Sequence, residues 1–545
     1  MLLKLLLAVG LMFMGWDLSR SQEVVPVVQP TDVAASLYQQ HCAACHGINR
    51  TGAMGPALMP ESLSRIKPRE LLRVVREGRP ATQMPGFAAD GPAHGPLTAA
   101  QVEQLASYVA KTPVLPAPDW TAQDIRDSRI VDAGAFLAAA KATRPAWPAD
   151  PMNLFVVVEA GDHHVSLVDG DKFEVIHRFA SRFALHGGPK FSPDGRFVYF
   201  GSRDGWITKY DLWRLAVVAE VRAGLNMRNI AVSGDGRWLM AANFLPGNVV
   251  LFDSDLQLQR IIPAVAQSGG PASRVSAVYD AAPRKSFIVA LKDVPELWEI
   301  SYDPAAAPVY RGLVHDWRLK EGIAEAGQFA VRRTLLDEPL NDFFFDDAYA
   351  HAIGATRPKA GSDAAQAQVV NLDIRRRIAT LDLPGMPHLG SGIGWDWTRP
   401  DGSRTRVVAS PNLRDGVVSV IDTQSWKTIK QIPTLGPGFF MRSHEASRYA
   451  WVDAMMGPRK DTLLVIDKQT LEPAGTVTAD PGKTLAHVEF TKDGRHVLAS
   501  LWEMDGALVV YDAKTFREVK RIPMKKPVGK YNVFNKITRS EGTSH

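Results

Sequence analysis

The chain of 545 residues contains two cysteines, Cys42 and Cys45, in the run Cys42-Ala43-Ala44-Cys45-His46. Two thiols at this spacing can add to the two vinyl groups of a haem, and the imidazole that follows then takes one axial position on the iron, which is the attachment pattern of haem c. The competing chemistry of a Cys-x-x-Cys pair, thiol–disulfide exchange, has no use for His46 and normally sits beside a βαβ pattern that is absent here. The second axial ligand should be a methionine on a loop ahead of the last helix of its domain. Met84, in Gln83-Met84-Pro85-Gly86-Phe87, fits best, with Met54 and Met59 as competitors. A thioether in that position raises the reduction potential.

These ligands need a small helical scaffold, and the sequence supplies one. From residue 31 to 112 apolar residues recur at helical spacing, in an amphipathic lead through Val33, Leu37 and Tyr38, a run from Leu71 to Arg76 and a last run from Gln101 to Val109. This predicts an all-α, class I-type cytochrome c domain. Ahead of it, Lys4 and the apolar stretch from Leu5 to Trp16 read as an export signal over residues 1–21, too short to span a bilayer comfortably. The signal implies a periplasmic protein. Prolines cluster between residues 113 and 151, a linker with one helical-looking stretch from Asp132 to Thr143.

From residue 152 to 545 the pattern is short β-strands, and one segment type recurs: an apolar strand closed by an aspartate. The marks are Asp169, Asp211, Asp253, Asp303, Asp373, Asp422, Asp467 and Asp512. Their spacing is that of four-stranded propeller blades, so an all-β, eight-bladed propeller is expected, with the long fourth interval holding an insertion over residues 311–338. Turns such as Ser192-Pro193-Asp194-Gly195 and Thr491-Lys492-Asp493-Gly494 supply tight hairpins.

The propeller turns a scatter of polar residues into a set. The innermost strand of a blade leads into the Ser-x-Asp-Gly type of turn, so residues a few positions before that turn line the axial channel. His186, Arg228, Arg274, Asn341, His388 and His487 occupy such places, and Tyr531 opens the last segment, which closes the ring. Together they suit a flat, metal-bearing ligand with several carboxylates. His444, inside its turn, is expected to face solvent. With 63 basic and 58 acidic residues interspersed, nothing in the charge calls for nucleic acid.

A haem c domain ahead of an eight-bladed propeller that contains Ala184-Leu185-His186, Gly201-Ser202-Arg203-Asp204-Gly205, Asp211-Leu212-Trp213 and Gly529-Lys530-Tyr531-Asn532-Val533 resembles the cytochrome cd1 nitrite reductase family. The resemblance implies that the propeller binds haem d1, with His186 as proximal iron ligand and Arg203, Arg228 and Arg274 around the macrocycle and its carboxylates. The nitrite reductases hold two distal histidines. His388 matches one, but the other is replaced in Leu340-Asn341-Asp342, and an amide cannot donate a proton as an imidazolium can. His487 stands where the reductases have Gln, and Tyr531 where they have Phe. This pattern is similar to the family's dihydro-haem d1 dehydrogenase branch. That resemblance implies oxidation of a propionate of dihydro-haem d1 to the acrylate of haem d1, the last step of its biosynthesis. His487 would be the base and Tyr531 an orienting or relaying hydroxyl. Arg228 and Arg274 would hold carboxylates, with His186 and His388 on opposite sides of the substrate iron and Asn341 beside them. Electrons would leave through haem c to a periplasmic acceptor, and a nitrite reductase would receive the product. The alternatives are a nitrite reductase and a non-catalytic haem d1 carrier.

Overall fold

The computed structural model describes residues 30–64, 66–79, 83–185, 187–311, 323–356 and 367–539. The expected signal segment and His186 therefore lie outside the described residues. No helix among those described is long and apolar enough to cross a membrane.

Among the described residues, five helices make the N-terminal domain: α1 (Pro30–His41), α2 (Ala43–His46), α3 (Pro60–Leu63), α4 (Pro68–Glu77) and α5 (Ala99–Lys111). Pro68 opens α4, where the missing N–H costs nothing, and Gly78 at φ +79° stops it. Thr98 and Gln101 form a reciprocal capping box at the start of α5. Leu37, Tyr38, Leu71, Val75, Leu97, Val102, Leu105 and Val109 pack into one core with Cys42. The helical spacing in the sequence thus marks the buried faces, except at Val33, which is exposed because it lies off the face that Leu37 and Tyr38 bury.

The Pro-rich stretch carries α6 (Ala122–Asp127), a strand (Ile130–Val131) and α7 (Ala133–Lys141). The strand adds to the outer edge of blade 2 by pairing with Ala219 and Glu220, and α7 packs on the same edge strand. This segment is a strap laid along the propeller.

Eight antiparallel four-stranded units follow, and the last strand of the chain, Pro527–Asn532, becomes the innermost strand of blade 1 beside Leu154–Glu159. This closure ties the two ends of the propeller sequence into one blade, and the ring leaves only short edges at its outer strands. Asp169, Asp211, Asp422 and Asp467 each end the third strand of a blade and accept N–H bonds from residues two and three further on. The recurring aspartate is therefore the acceptor that builds the turn into the outer strand. In blades 4 and 5 the marks shift by two residues. The register places Ser301 and Asn371 opposite Ser286 and His351, and Asn371 accepts from the N–H groups of Asp373 and Ile374. Asp303 and Asp373 lie past the strand ends because Ser and Asn can do the same job. The extra length of blade 4 includes a hairpin of Val309–Arg311 with Ile323–Glu325, while Val331–Leu335, within the span expected to be inserted, is the blade's own outer strand.

The helical domain sits on blades 2 and 3. The Arg222 guanidinium, at the end of a blade 2 strand, donates to the Thr51 carbonyl at 2.7 Å, and Asn226 Nδ2 donates to the Glu61 carbonyl at 3.2 Å. Met59 and Ala57 pack against Leu225 of the propeller.

Candidate active site

His46 lies on the short helix α2 with its Nδ1–H donating to the Pro56 carbonyl at 2.7 Å. That bond fixes the ring and leaves Nε2 as the ligating nitrogen, the arrangement a haem iron requires. Burial holds the imidazole below its usual range, in the neutral form that binds metal. The chain at Gly55 crosses so close that a Cβ there would lie 2.7 Å from the ring. Cys42 is buried and Cys45 half-exposed. Met84 is half-buried on the loop after α4, where its carbonyl accepts from Arg79 N–H at 3.1 Å. Its competitors are placed differently: Met59 is in the interface core and Met54 is 75% exposed. The donor set Cys42, Cys45 and His46 fits a covalent haem c.

The axial channel has two unlike sides. On blades 6, 7, 8 and 1 a row of rings runs from His388 to Tyr531. His388 lies 4.0 Å from Phe439, Phe439 4.6 Å from Phe440, Phe440 4.6 Å from His487, and His487 5.2 Å from Tyr531, all between ring centroids. His388 donates its Nδ1–H to the Phe439 carbonyl at 2.7 Å, which again leaves Nε2 for a metal. His487 is 2% exposed and sits in a β-bulge between Ala486 and Val488 at φ +52°. A bulge takes a residue out of the ladder and re-aims its side chain. The freed backbone groups find side chains: the buried Lys530 ammonium donates to the His487 carbonyl, and the N–H of His487 faces the Asp453 carboxylate. Asp453 also accepts the N–H groups of Phe439 and Phe440, so one carboxylate sets both rings and the bulge. Burial, followed by the charges of Lys530, Arg442 and Lys536, pushes the His487 imidazole well below its usual range. Burial likewise pushes the Tyr531 phenol up to about 12.

On blades 3, 4 and 5 the charges are already matched. Arg228 pairs with Asp342 at 3.2 Å, and the same carboxylate accepts the Tyr279 hydroxyl at 2.7 Å. Asn341 accepts from the Lys292 ammonium at 2.8 Å. Arg274 is 50% exposed and pairs with Asp293 at 2.5 Å, so it stands at the rim of the channel. Arg203, half-buried, lies in a turn stitched to Ala184 and Leu185: its N–H donates to the Ala184 carbonyl, and Leu185 bridges Ser202. Gly187 and Gly188 are both at positive φ; a Cβ on Gly188 would press on the Tyr531 ring at 3.1 Å.

The structure thus brings His388, His487 and Tyr531 into one row and Arg228 onto the facing side. It also reveals residues that the sequence reading passed over. Arg442, on the inner strand of blade 7, is 3% exposed with Nε buried and without a hydrogen-bond partner. It stands directly before its turn, closer to it than Arg228 stands to Ser233, and the turn Ser443-His444-Glu445-Ala446 lacks the Asp-Gly pair that marks the others. His444 itself is buried, its Nδ1 accepting the Ala446 N–H at 3.0 Å, against the expectation that it faces solvent. Lys530 and Glu489 complete a buried titratable group under His487, and burial pushes the Lys530 amine well below its usual range.

Residues 149–315 and 321–536 match the family described as "Cytochrome D1 heme domain", and residues 29–109 match "Cytochrome C oxidase, cbb3-type, subunit III". The chain is 53% identical to the "Dihydro-heme d1 dehydrogenase" of Pseudomonas aeruginosa, over 94% of this chain and 95% of that one. It is 26% identical to a "Nitrite reductase" of Stutzerimonas stutzeri over 97% of both. A solved structure, "Dihydro-heme d1 dehydrogenase NirN in complex with DHE", superposes with a TM-score of 0.82 at 52% identity, covering 93% of this chain and 100% of that one.

Proposed function

From the premise that the chain belongs to the cytochrome d1 haem-domain family, we propose that it is an oxidoreductase that dehydrogenates dihydro-haem d1 to haem d1. The observation that carries this reading is the contact of His487 with Tyr531, beside the buried guanidinium of Arg442.

The reaction removes two electrons and two protons from a propionate side chain, one proton to His487 and the other to water. His487 is held neutral and takes its proton from the side chain as general base. Its basicity is low there, first because it is buried and then because Lys530, Arg442 and Lys536 lie near it; carboxylates of the substrate offset the second contribution and move the imidazole towards the working range. Tyr531 keeps its proton at neutral pH and orients the substrate or relays the proton. Arg442 and Arg228 hold carboxylates, Arg203 flanks the macrocycle, and Arg274 guards the rim. His388 and His186 ligate the substrate iron from opposite sides. Asn341, with its carbonyl engaged by Lys292, supplies no proton to a bound oxyanion, which argues against nitrite reduction. Haem c, held by Cys42, Cys45, His46 and Met84, supplies the one-electron outlet.

The protein is exported to the periplasm and passes electrons to a soluble acceptor there; its product goes on to a nitrite reductase. The test is to incubate the haem c-loaded protein with dihydro-haem d1 and follow absorption and mass. The product should be lighter by two hydrogens, with two equivalents of oxidised haem c reduced for each product formed. No mass change together with brisk nitrite turnover by haem d1-loaded protein would replace the reading with a reductase, and neither activity would leave a carrier.

A further inference from the structure

A proton taken by His487 starts from a place that is 2% exposed, and it must leave. Under the proposed function, on which this inference rests, the macrocycle fills the mouth of the channel that carries His388, Asn341 and Arg274. The opposite end is a cavity of about 600 Å³, lined among others by Ser233, Asp280, Phe345, Tyr349, Lys536 and Arg539. The order along the chain shows that it is the far end. In three blades the cavity residue follows the site residue along the inner strand or just past its end, Ser233 after Arg228, Phe345 after Asp342 and Lys536 after Tyr531. At the rim Arg539 and Thr538 are exposed to solvent.

Glu489 stands between the two ends. It is 1% exposed and lies two residues after His487 on the inner strand of blade 8. Its Oε1 accepts the Phe490 N–H at 3.0 Å and Asn535 Nδ2 at 3.2 Å, whereas Oε2 is buried without a partner. An orphaned carboxylate oxygen in an interior is costly, and such an oxygen calls for a role. The charged and titratable groups facing Glu489 come from every neighbouring element: Arg442 and His444 from blade 7, Lys530 and Tyr531 from blade 1, and Lys536 from the last helix, α8 (Val533–Thr538). Lys536 joins the group to the cavity, since its ammonium lies 5.5 Å from the Tyr531 ring and it also lines the cavity wall.

We propose that Glu489 is the proton relay of the reaction, receiving the proton that His487 removes from the substrate and passing it beside Lys536 to water in the far cavity. Each transfer forms one O–H bond as the donor's N–H or O–H bond breaks. The electrons take the separate route to haem c. Protons and electrons therefore leave by different faces of the propeller.

Glu489→Gln keeps the shape and the Oε1 acceptor but cannot carry the proton. In the haem c-loaded protein the haem c spectrum should be unchanged and dihydro-haem d1 affinity within about twofold of wild type, while turnover falls at least about tenfold. Formate, a weak acid small enough for the cavity, should restore part of the rate. A carboxyl C=O stretch that appears in the infrared difference spectrum on substrate oxidation should be missing from the variant. Undiminished turnover in Glu489→Gln, alongside a dead His487→Ala, would overturn the relay and leave the base intact. Full turnover in His487→Ala would overturn the base reading itself. Loss of substrate affinity with no formate rescue would make Glu489 a structural residue and overturn the relay.

Discussion

The two sides of the axial channel differ in how their charges are settled before any ligand arrives. On blades 3 to 5, Arg228 has Asp342, Arg274 has Asp293 and Lys292 has the carbonyl of Asn341. On blades 7, 8 and 1, Arg442, Lys530 and Lys536 all feel one acid, Glu489, and a guanidinium nitrogen and a carboxylate oxygen remain buried without hydrogen-bond partners. A matched side holds its shape alone and grips a ligand with groups already in place. An unmatched side stores electrostatic cost that an incoming anion relieves, and strongly perturbed groups gather there. Chemistry is therefore assigned to the side of His487, and shape to the side of Arg228.

The largest test of that division is at the base. His487→Ala should still bind dihydro-haem d1 but lose roughly 10² to 10⁴ in turnover, the span of general acid–base contributions. Tyr531→Phe should lose less, about tenfold, since the ring still packs against His487 when the hydroxyl is gone. Single-turnover kinetics with both variants read this directly. Equal, mild losses in the two would mean that the row of rings only orients the substrate and that the base lies elsewhere.

A smaller effect compares two arginines. Replacing Arg442 by Met removes a buried guanidinium that the substrate would satisfy, so affinity should fall by about ten- to a hundredfold, as for a hydrogen bond to a charged group. The same change should raise the melting temperature of the substrate-free protein, because a desolvated charge with an unmet donor is removed. Arg274→Ala breaks an exposed pair with Asp293 and should cost less than about fivefold in affinity. Titration and thermal melts of both variants check the contrast; a larger loss at Arg274 would invert it.

How much of this was legible in the sequence depended on whether the signal was local. The haem c ligands lie in one short motif, and the helices around them follow from apolar spacing. The blades were countable because an aspartate at the end of the third strand accepts the N–H groups of the following turn, and the count survives where Ser301 and Asn371 take over that place. The channel could be populated with His388, His487, Tyr531 and Arg228 because position before the turn fixes position in the ring. The bulge at His487 was not readable, since it depends on Lys530 and Asp453, brought from two other blades. Arg442 was missed for want of an Asp-Gly turn. The pairing of Arg539 with Asp280, which ties the last helix over the far cavity, crosses most of the propeller sequence and leaves no local trace.

The smallest test uses acid, and its sign separates the groups. His487 is held well below 6.5 by burial and nearby cations, so below about pH 6.5 the unfolded chain binds a proton that the folded chain refuses. Its contribution to stability is complete above that pH and is lost as pH falls, at up to about 1.4 kcal/mol per pH unit until the folded imidazole also titrates. Asp453 and Asp280, both pushed up to about 6 by burial, act in the opposite sense. Between about pH 6 and 4 their folded carboxyls keep protons that the unfolded chain gives up, so they favour folding as pH falls through that range. The melting temperature of the wild type alone therefore mixes both signs. The difference between wild type and His487→Asn isolates the imidazole, and Asn suits the left-handed backbone at φ +52°. The variant should gain stability relative to wild type as pH is lowered from 7 to 5, while Arg274→Ala, on the matched side, should track wild type across the same range. A constant offset for His487→Asn would show that the buried imidazole carries no acid penalty, and the unmatched side would then be no more strained than the matched one.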